Sequence, residues 1–443
     1  MYFERIVDLE LLEWKNSVDR KPLLIRGARQ VGKSSAVRNL ALEFHYFVEI
    51  NFDEEPILQT LFENNLTLDE ILEQLSIIKK TPIISGKTLV FLDEIQACIP
   101  ALSSLRYFYE KKTNLHVIAA GSLLEFALTE LPSFGVGRVR SLYMYPFSFN
   151  EFLLALNEKQ LIDLIRISNS MKPMPTILHN KLNNYLRTFF IVGGMPEAVR
   201  TYVQDRDMIK VQRVLNDLVL SIQADFTKYS KRVPVDRIQS VFESIVQQLG
   251  TKYKFSDHIG NLNSNQIKQV LDLLELAGLI YSVTHSSSNG IPLGAESNPK
   301  KRKYLIFDTG IFQRIIGLDL TSLLLATDND VINKGSIAEL FVGLELIKRQ
   351  SPYEMNQLYY WHRENRNSQA EVDYVIQVND KIYPIEVKSG KIGKMKSLYL
   401  FLNEKKVDLG IRCSLENFNH YNSISTLPLY SISLLDTKMK EFI

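Results

Sequence analysis

The amino-terminal part of the chain alternates short apolar runs with stretches of helical period, which is typical of a parallel sheet wrapped by helices. Five apolar runs are the candidate strands, and they cover residues 22–26, 47–51, 88–92, 116–120 and 139–145. The pattern therefore predicts an α/β core with a parallel sheet over residues 1–147.

The pattern becomes helical after this core. Residues 148–232 keep a helical period with few breakers apart from the corner Gly193-Gly194-Met195-Pro196, and they are predicted to form a small helical lid. Residues 233–326 change to helices followed by a hairpin, which is the order of a winged helix-turn-helix with the polar loop 286–298 as its wing. Because helix-turn-helix shapes also serve as plain connectors, this order leaves DNA binding open.

The last part of the chain, residues 327–443, mixes helical and strand patterns. Asn379-Asp380 is a turn signal between two apolar runs, so these runs are predicted to form an antiparallel hairpin. The predicted elements are a helix over 331–349, strands over 358–361, 372–376 and 382–387, a helix over 395–403, and strands over 409–413 and 427–433. This order predicts a small α/β domain.

The size and composition of the chain limit its class. With 443 residues it exceeds the size at which a single core stops growing, so two or three domains are expected. No apolar stretch approaches the roughly 20 residues that cross a bilayer, and the charged start is unlike a signal peptide. We therefore expect a cytoplasmic protein with no membrane partner.

The two cysteines, Cys98 and Cys413, have no partner at metal-ligand spacing, which predicts neither a disulfide nor a zinc site.

The charge balance makes nucleic-acid binding depend on local patches, because a formal net charge of +2 supplies no global attraction for a polyanion. Residues 299–303 form the densest basic run, and Lys228, Lys231 and Arg232 form a second. Such runs are either solvated surface or a nucleic-acid contact, and the sequence leaves both interpretations open.

A glycine-rich motif follows the first predicted strand. Its form, G-x-x-x-x-G-K-[ST], curls backbone N–H groups toward phosphate oxygens and places a helix N-terminus beneath them. The motif predicts ATP binding, with Lys33 neutralising the β and γ phosphates and Ser34 binding Mg²⁺. The predicted nucleotide contacts are Gly27, Ala28, Arg29, Gln30, Val31, Gly32, Lys33, Ser34 and Ser35.

Two acids follow the apolar run at residues 88–92. Asp93 is predicted to hold the magnesium shell, and Glu94 is predicted to orient and activate the attacking water. Buried carboxylates without a cation are costly, which favours this function for the pair. Ser122, after the fourth strand, is placed to contact the water or the γ-phosphate, although a helix N-cap explains it equally well.

Arg138 and Arg140 follow the turn Gly135-Val136-Gly137 and precede a strand. Either arginine is placed to reach the γ-phosphate of its own subunit or of a neighbouring one, and the second case implies a homo-oligomer. An ordinary surface arginine beside a turn is the alternative.

Taken together, these motifs resemble those of prokaryotic AAA-type ATPases related to the signal-transducing STAND class, with a C-terminal domain similar to PD-(D/E)xK nucleases. The matching segments are Gly27–Ser34, Asp93–Gln96, Ala120–Ser122, Gly137–Arg138, Pro146–Phe152, Gly193–Glu197, Glu371–Asp373 and Ile385–Lys388. The resemblance implies that Ser122 is a sensor, that Arg138 is the Gly-Arg arginine of this family, and that Pro196 is the lid proline that packs on adenine.

Four polar side chains make a candidate metal site near the end of the chain. Glu386 and Lys388 are two apart on one strand and share a face, while Asp373 lies on the strand paired with it. In nuclease chemistry the two acids would bind Mg²⁺, and Lys388 would position the water or stabilise phosphate charge. Glu339 resembles the helical acid that completes this shell in the nuclease-like family. The alternative is a half-buried salt bridge in a domain that binds a partner.

The leading hypothesis is a Mg²⁺-dependent ATPase coupled to a nuclease-like domain that acts on nucleic acid, with DNA favoured. The alternative is a nucleotide-controlled signalling switch whose C-terminal domain is a non-catalytic interaction module. A metal between Asp373 and Glu386 would favour the first hypothesis. A Lys388 salt bridge that closes the pocket would favour the second.

Overall fold

The structure is a computed structural model of the chain. It describes residues 2–64, 66–122, 124–130, 137–229, 232–255, 262–317, 335–355, 357–363, 370–388 and 395–439. The chain divides into two compact units. The first unit comprises Met1–Tyr145, Leu276–Gly278 and Ser351–Met355, and the second comprises Pro146–Glu275, Leu279–Gln350 and Asn356–Ile443.

The first unit is built on a sheet of five parallel strands. They are β1 (Leu23–Arg26), β2 (Tyr46–Asn51), β3 (Thr88–Asp93), β4 (His116–Ala120) and β5 (Arg140–Tyr143). Their order across the sheet is β2-β3-β4-β1-β5. β3 and β4 are buried at every residue, as expected of central strands in a parallel sheet covered on both faces. The predicted parallel α/β core is confirmed.

The helices of the first unit pack their apolar faces against this sheet. They are α1 (Ile6–Asn16), α2 (Lys33–Ala41), α3 (Thr60–Glu63), α4 (Leu68–Ile78), α5 (Ile99–Lys111) and α6 (Leu124–Glu130). In α4, the buried residues Leu68, Ile71 and Leu75 recur at helical spacing, so one face of the helix enters the core. The Thr67 side chain and Glu70 cap the start of α4 reciprocally.

The remaining described helices are α7 (Phe149–Ala155), α8 (Lys159–Ile167), α9 (Thr176–Val192), α10 (Pro196–Asp205), α11 (Met208–Asp225), α12 (Val235–Gln247), α13 (Ser264–Leu276), α14 (Thr309–Ile315), α15 (Gly335–Lys348), α16 (Lys396–Lys405) and α17 (Leu435–Met439). α7 to α11 account for the helical period predicted over residues 148–232. No helix within the described ranges has both the length and the apolar character needed to cross a membrane.

The glycine corner between α9 and α10 is shaped by a buried acid. Asp308 accepts a hydrogen bond from the Gly194 N–H at 2.6 Å and also caps α14. Gly193 has φ +71°, and a Cβ added there would lie 2.3 Å from the Asp308 carboxylate. The close approach of Asp308 therefore requires glycine at position 193.

The described residues of the second unit form a sheet of eight strands. They are β6 (Ile280–Ser286), β7 (Ser297–Ile306), β8 (Leu358–His362), β9 (Glu371–Val378), β10 (Lys381–Val387), β11 (Gly410–Ser414), β12 (Asn419–Tyr421) and β13 (Ile424–Pro428). Their order is β12-β13-β11-β10-β9-β8-β6-β7. β6 pairs antiparallel with β7 and parallel with β8. The hairpin predicted for a winged helix thus shares a sheet with the strands of the C-terminal part, and the predicted boundary between residues 326 and 327 lies outside the described residues.

The strands of the second unit match the predicted pattern in part, and β12 was not predicted. The hairpin β9–β10 turns at Asn379 as predicted. The predicted polar loop 286–298 is shorter, because β7 begins at Ser297 and takes the basic run 299–303 into the sheet. The strand predicted over 427–433 ends at Pro428, which has no N–H to donate, and continues as the 3₁₀ turn Leu429–Leu434.

Each unit contains one free cysteine. Cys98 lies in the apolar core of the first unit and is 1% exposed, and Cys413 on β11 is 0% exposed. Burial raises the pKa of the Cys98 thiol to about 11 and raises the pKa of Cys413 further above its ordinary value. Both thiols are therefore protonated and inaccessible in the folded chain.

Candidate functional site

The glycine-rich loop connects β1 to α2, which is the context that its motif requires. Gln30 and Gly32 have positive φ values of 61° and 97°, so the backbone of the loop curls tightly. Gly27 has φ +138°, and a Cβ added there would lie 2.1 Å from the Met144 carbonyl oxygen. Only glycine fits at this entry to the loop. The other predicted contacts comprise the buried Ala28 and Val31, the half-buried Arg29 and the exposed Ser35.

Lys33, the first residue of α2, has a buried side chain held by the loop itself. Its Nζ donates hydrogen bonds to the carbonyl oxygens of Gly27 at 2.9 Å and Ala28 at 2.8 Å. Burial lowers the pKa of Lys33 to about 8, against the attraction of Glu94 and Asp93. The ammonium is thus paired mainly with neutral groups and retains the capacity to bind an anion.

The two predicted magnesium ligands of the first unit lie in contact. The Ser34 hydroxyl donates a hydrogen bond to Asp93 Oδ2 at 2.7 Å. Asp93 is the last residue of β3, and its burial raises the pKa of the carboxyl group, against the hydrogen bond from Ser34. A hydroxyl and a carboxylate oxygen are ligands of the type that Mg²⁺ prefers, and Mg²⁺ usually completes its shell with phosphate oxygens and water. These residues fit a magnesium–nucleotide complex.

The predicted catalytic acid is held by two side chains. Glu94 has a left-handed backbone with φ +48°, directly after β3. Its Oε2 accepts hydrogen bonds from Gln96 Nε2 at 2.6 Å and from the Ser122 hydroxyl at 3.1 Å. A Cβ added to Gly121 would lie 2.0 Å from the Gln96 side-chain oxygen, so glycine makes room for Gln96. Sequence reasoning assigned Gln96 no role, although its position two residues after Glu94 was a signal.

The other predicted contacts of the nucleotide have local partners or lie in the second unit. Arg138 is 48% exposed at its side chain and forms an ion pair with Glu110 on α5. The Arg140 guanidinium lies 5.5 Å from the centre of the Tyr353 ring. Pro196 is the first residue of α10. The roles of Arg138, Arg140 and Pro196 toward phosphate and adenine stay predictions.

The predicted C-terminal metal ligands each have an internal partner. Lys388, which directly follows β10, forms a salt bridge with Glu386 Oε1 at 2.5 Å. Asp373 on β9 accepts a hydrogen bond from the Val387 N–H at 2.7 Å. Glu339 on α15 accepts a hydrogen bond from Lys303 at 3.0 Å. The acids are therefore neighbours in one network, but they are oriented toward donors of the chain.

Lys303 is the residue that sequence reasoning missed. Its side chain is 1% exposed, and it forms ion pairs with Glu339 and with Glu371 on β9. It belongs to the basic run 299–303 beside the predicted wing. The signal for its burial was its position immediately before the apolar run Tyr304-Leu305-Ile306-Phe307.

The electrostatics of this network follow from burial. Burial raises the pKa of Glu339 to about 8 and that of Glu386 to about 7, and it also raises the pKa of Asp373. Burial alone would lower the pKa of Lys303, but the neighbouring carboxylates outweigh it and raise this pKa above its ordinary value. Lys303 is charged at every physiological pH.

The arrangement does not fit a bound metal ion. Within the residues that the structure describes, no three His, Cys, Asp or Glu side chains are grouped so that they could hold one. The predicted ligands Glu339, Asp373 and Glu386 all lie in the described part of the chain. One oxygen of each acid instead accepts a hydrogen bond from a donor of the chain, namely Lys303, the Val387 N–H and Lys388.

Comparisons with known proteins cover the chain in three segments. Residues 19–153 match the family described as AAA domain, and residues 183–322 and 334–432 each match a domain of unknown function (DUF8612 and DUF4143). The chain is 24% identical over 389 residues to an uncharacterized protein of Haemophilus influenzae, covering 85% of this chain and 84% of that protein.

Two solved structures illustrate the likeness. A Walker-type ATPase of Pyrococcus abyssi is 18% identical with a TM-score of 0.47, covering 71% of this chain and 96% of that chain. The ORC1 protein of Aeropyrum pernix, solved in complex with DNA, is 10% identical with a TM-score of 0.28, covering 73% of this chain and 95% of that chain. On the match over residues 19–153 and the phosphate-binding loop described above, the amino-terminal part of the chain is an AAA-type P-loop ATPase domain.

Proposed function

We propose that the chain is a cytoplasmic, Mg²⁺-dependent ATPase whose nucleotide state controls a non-catalytic C-terminal module. The observation that carries the ATPase function is the 2.7 Å contact between Ser34 and Asp93. This contact joins the glycine-rich loop to the end of β3 and brings both predicted magnesium ligands to one point. Lys33 directly precedes Ser34 in sequence, and Glu94 directly follows Asp93. These four residues make up the proposed catalytic site.

The residues of this site have separate tasks in the proposed reaction. The loop N–H groups and Lys33 bind the phosphates, which replace the carbonyl oxygens as partners of the ammonium. Ser34 and Asp93 would hold Mg²⁺, which neutralises phosphate charge. Glu94 accepts a proton from the attacking water, and Gln96 and Ser122 fix the orientation of its carboxylate.

The second part of the proposal favours a switch over a nuclease. The Lys388–Glu386 salt bridge is the feature that we expected of an interaction module, and the other predicted metal ligands are also satisfied by the chain. An intact set of acids alone does not make a cleaving site. In this proposal, ATP binding and hydrolysis change the assembly of the chain with copies of itself or with a partner.

A nucleic acid remains the candidate partner, with DNA favoured. The basic run 299–303 supports it only in part, because Pro299 and Lys300 are exposed whereas Lys303 is buried. The nuclease-coupled ATPase is the second candidate, favoured by the proximity of Asp373 and Glu386 on adjacent strands.

Wild type and two variants of the full chain test the ATPase part of the proposal. Wild type is expected to release phosphate from ATP with Mg²⁺, Lys33→Ala is expected to lose this activity, and Lys87→Ala serves as a control on an exposed lysine of the same unit. The ATPase assignment is contradicted if Lys33→Ala keeps its activity, or if only the control Lys87→Ala loses activity.

The same preparations are then incubated with linear, nicked and branched DNA and with RNA, with Mg²⁺ or Mn²⁺ and ATP. We expect no strand scission, and we expect sedimentation to change between ATP and ADP. Scission that is absent in Asp373→Asn would replace the switch by the nuclease-coupled function.

A further inference from the structure

Arg5 lies directly before α1, and its buried side chain reaches the glycine-rich loop. The guanidinium donates a hydrogen bond from Nη1 to the carbonyl oxygen of Val31 at 3.2 Å, and from Nη2 to the carbonyl oxygen of Tyr145 at 2.8 Å. The residue is 5% exposed. Val31 belongs to the loop, and Tyr145 follows β5. One side chain therefore connects the start of α1, the loop and the end of β5.

The backbone of Arg5 is fixed by its neighbours. Arg5 is the N-cap residue of α1, and its N–H donates a hydrogen bond to Asp8 Oδ2 at 2.8 Å. The other oxygen of Asp8 accepts a hydrogen bond from the Tyr2 hydroxyl at 2.6 Å. α1 itself is anchored, because Leu11 and Trp14 are almost fully buried. The guanidinium therefore extends from a rigid base.

The contact with Val31 determines the orientation of one peptide unit of the loop. The carbonyl of Val31 and the N–H of Gly32 belong to the same peptide unit, and in a planar trans unit they point in opposite directions. The Gly32 N–H therefore points away from Arg5. Gly32 is the N-cap residue of α2 with φ +97°, and glycine accepts many backbone conformations at little cost. The glycine alone would not keep this unit in one orientation, whereas a donor bound to Val31 does.

Arginine suits this position because it carries several donors in a fixed plane. Its guanidinium binds two carbonyl oxygens at once, whereas the ammonium of a lysine is a compact charge on a flexible stem. Loss of the Arg5 side chain would also leave two carbonyl oxygens without this donor, and a buried acceptor without a partner is unfavourable.

We infer that Arg5 is a positioning residue for nucleotide binding, which holds the Val31 carbonyl so that the Gly32 N–H stays oriented toward a bound phosphate. The inference rests on the proposed function, in which N–H groups of the loop bind the phosphates of ATP. Arg5 lies outside residues 19–153, which match the AAA domain. The segment before that domain thus contributes to its phosphate site.

The test measures nucleotide affinity and turnover of the full chain with Mg²⁺. Calorimetric titration with ADP should give a Kd at least about tenfold higher for Arg5→Met than for wild type, because binding must then also order the loop. The kcat at saturating ATP should fall much less, since Glu94 is unchanged. A purely structural role of Arg5 would reduce the amount of folded protein and leave the Kd of the folded fraction unchanged.

Inorganic pyrophosphate separates phosphate contacts from adenine contacts. It carries no base, so its Kd should rise in Arg5→Met by the same factor as the Kd for ADP. A Kd for pyrophosphate that stays constant while the Kd for ADP rises would assign Arg5 to the base and overturn the inference.

Arg20→Met is the matched control. Arg20 also donates hydrogen bonds to backbone carbonyl oxygens of the first unit, those of Lys15 at 3.0 Å and Ser17 at 3.1 Å, which do not belong to the loop. This variant should bind ADP as wild type does, and equal losses of affinity in Arg20→Met and Arg5→Met would overturn the inference. Arg5→Lys keeps the charge without the planar fork, so its Kd should lie between those of wild type and Arg5→Met.

Arg5→Lys also provides the test if Arg5→Met does not fold. Its Kd for ADP must then exceed that of wild type, and an equal Kd overturns the inference. A folded Arg5→Met chain that binds ADP as tightly as wild type overturns the inference as well, and leaves the proposed function intact. A wild-type chain that binds no ADP contradicts the proposed function and the inference together.

Discussion

Two buried lysines, one in each unit, differ in the groups that surround them. Lys33 is hydrogen-bonded to two neutral carbonyl oxygens, and burial lowers its pKa to about 8. Lys303 is enclosed by carboxylates, and their charge raises its pKa despite the burial. The buried positive charge of the lysine is therefore poorly compensated in the first unit and well compensated by carboxylates in the second.

The difference teaches which of the two sites is open to a ligand. Neutral carbonyls release Lys33 at little cost, since a triphosphate provides stronger, charged acceptors. Separating Lys303 from its carboxylates would leave uncompensated charge in the interior. In the proposed function the first site receives an anion, whereas the acids of the second are paired with a cation of the chain.

The contrast between the two sites would be contradicted most clearly if the first site did not hydrolyse ATP. We expect Glu94→Gln to lower kcat for ATP hydrolysis by about 10²–10⁴-fold, because the variant lacks the carboxylate that accepts the proton. ATP affinity should change little, since Glu94 does not bind phosphate in the proposed reaction. Phosphate release and calorimetric titration measure the two quantities. The control Glu73→Gln, an exposed glutamate of the same unit, should behave as wild type.

Stability measurements compare the two lysines directly. Without nucleotide, Lys303→Met should lower the free energy of unfolding by about 3–5 kcal/mol, because it leaves buried carboxylates without their cation. Lys33→Met should lower it little or raise it, because burial disfavours the charged form of Lys33. Urea unfolding followed by circular dichroism measures both. Equal losses in the two variants would show that the two lysines are compensated alike.

The pH dependence of ATP binding tests whether the pKa of Lys33 is lowered. The pKa of Lys33 in the free chain is about 8, below its ordinary value of 10.5, so the ammonium is charged below pH 8 and loses its proton above it. Since phosphate binds the charged form, the Kd for ATP should be constant below pH 8. Above pH 8 it should rise by up to about tenfold per pH unit. Calorimetry between pH 6.5 and 9.5 tests this.

Lys33→Arg is the matched variant for this profile. Arginine stays charged over the whole range, so any residual ATP affinity should not fall above pH 8. A wild-type profile as flat as that of Lys33→Arg would contradict the lowered pKa.

The smallest expected effect concerns the hydrogen bond that orients Glu94. Gln96→Leu should lower kcat by about tenfold or less, because Ser122 still holds the carboxylate. Gly121→Ala should produce a similar loss, since its Cβ would displace the Gln96 side chain. Rescue by Gln96→Asn is not expected, because the shorter side chain does not reach Glu94. Unchanged kcat in Gln96→Leu would remove Gln96 from the site.

The contact between Ser34 and Asp93 was easier to predict from sequence than the contacts of Lys303, for a physical reason. Lys33 and Ser34 begin α2 directly after the glycine-rich loop, and Asp93 ends a parallel strand whose carboxyl end lies at the same edge of the sheet. Local spacing and strand direction therefore determine this site. The position of Gln96 two residues after Glu94 indicates that the two are near, but their contact also depends on side-chain conformations and on the space at Gly121.

The ion-pair partners of Lys303 were not predictable from its neighbours in sequence, although the apolar run that follows it indicates burial. The basic run 299–303 is typical of a solvated surface. In the structure, β7 pairs with β6 at the edge of the sheet, and β6 pairs in turn with β8. These pairings join segments that are far apart in the chain. They bring Lys303 to Glu339 and Glu371, and the sequence contains no local mark of that register.

The placement of one cysteine in the interior of each unit provides two internal probes of unfolding. Because Cys98 and Cys413 are almost fully inaccessible and hold their protons, alkylation at neutral pH requires the surrounding structure to open first. The rates at which iodoacetamide modifies the two thiols, read by mass spectrometry of separate peptides, would report the opening of each half without any added label. ATP should then slow modification at Cys98.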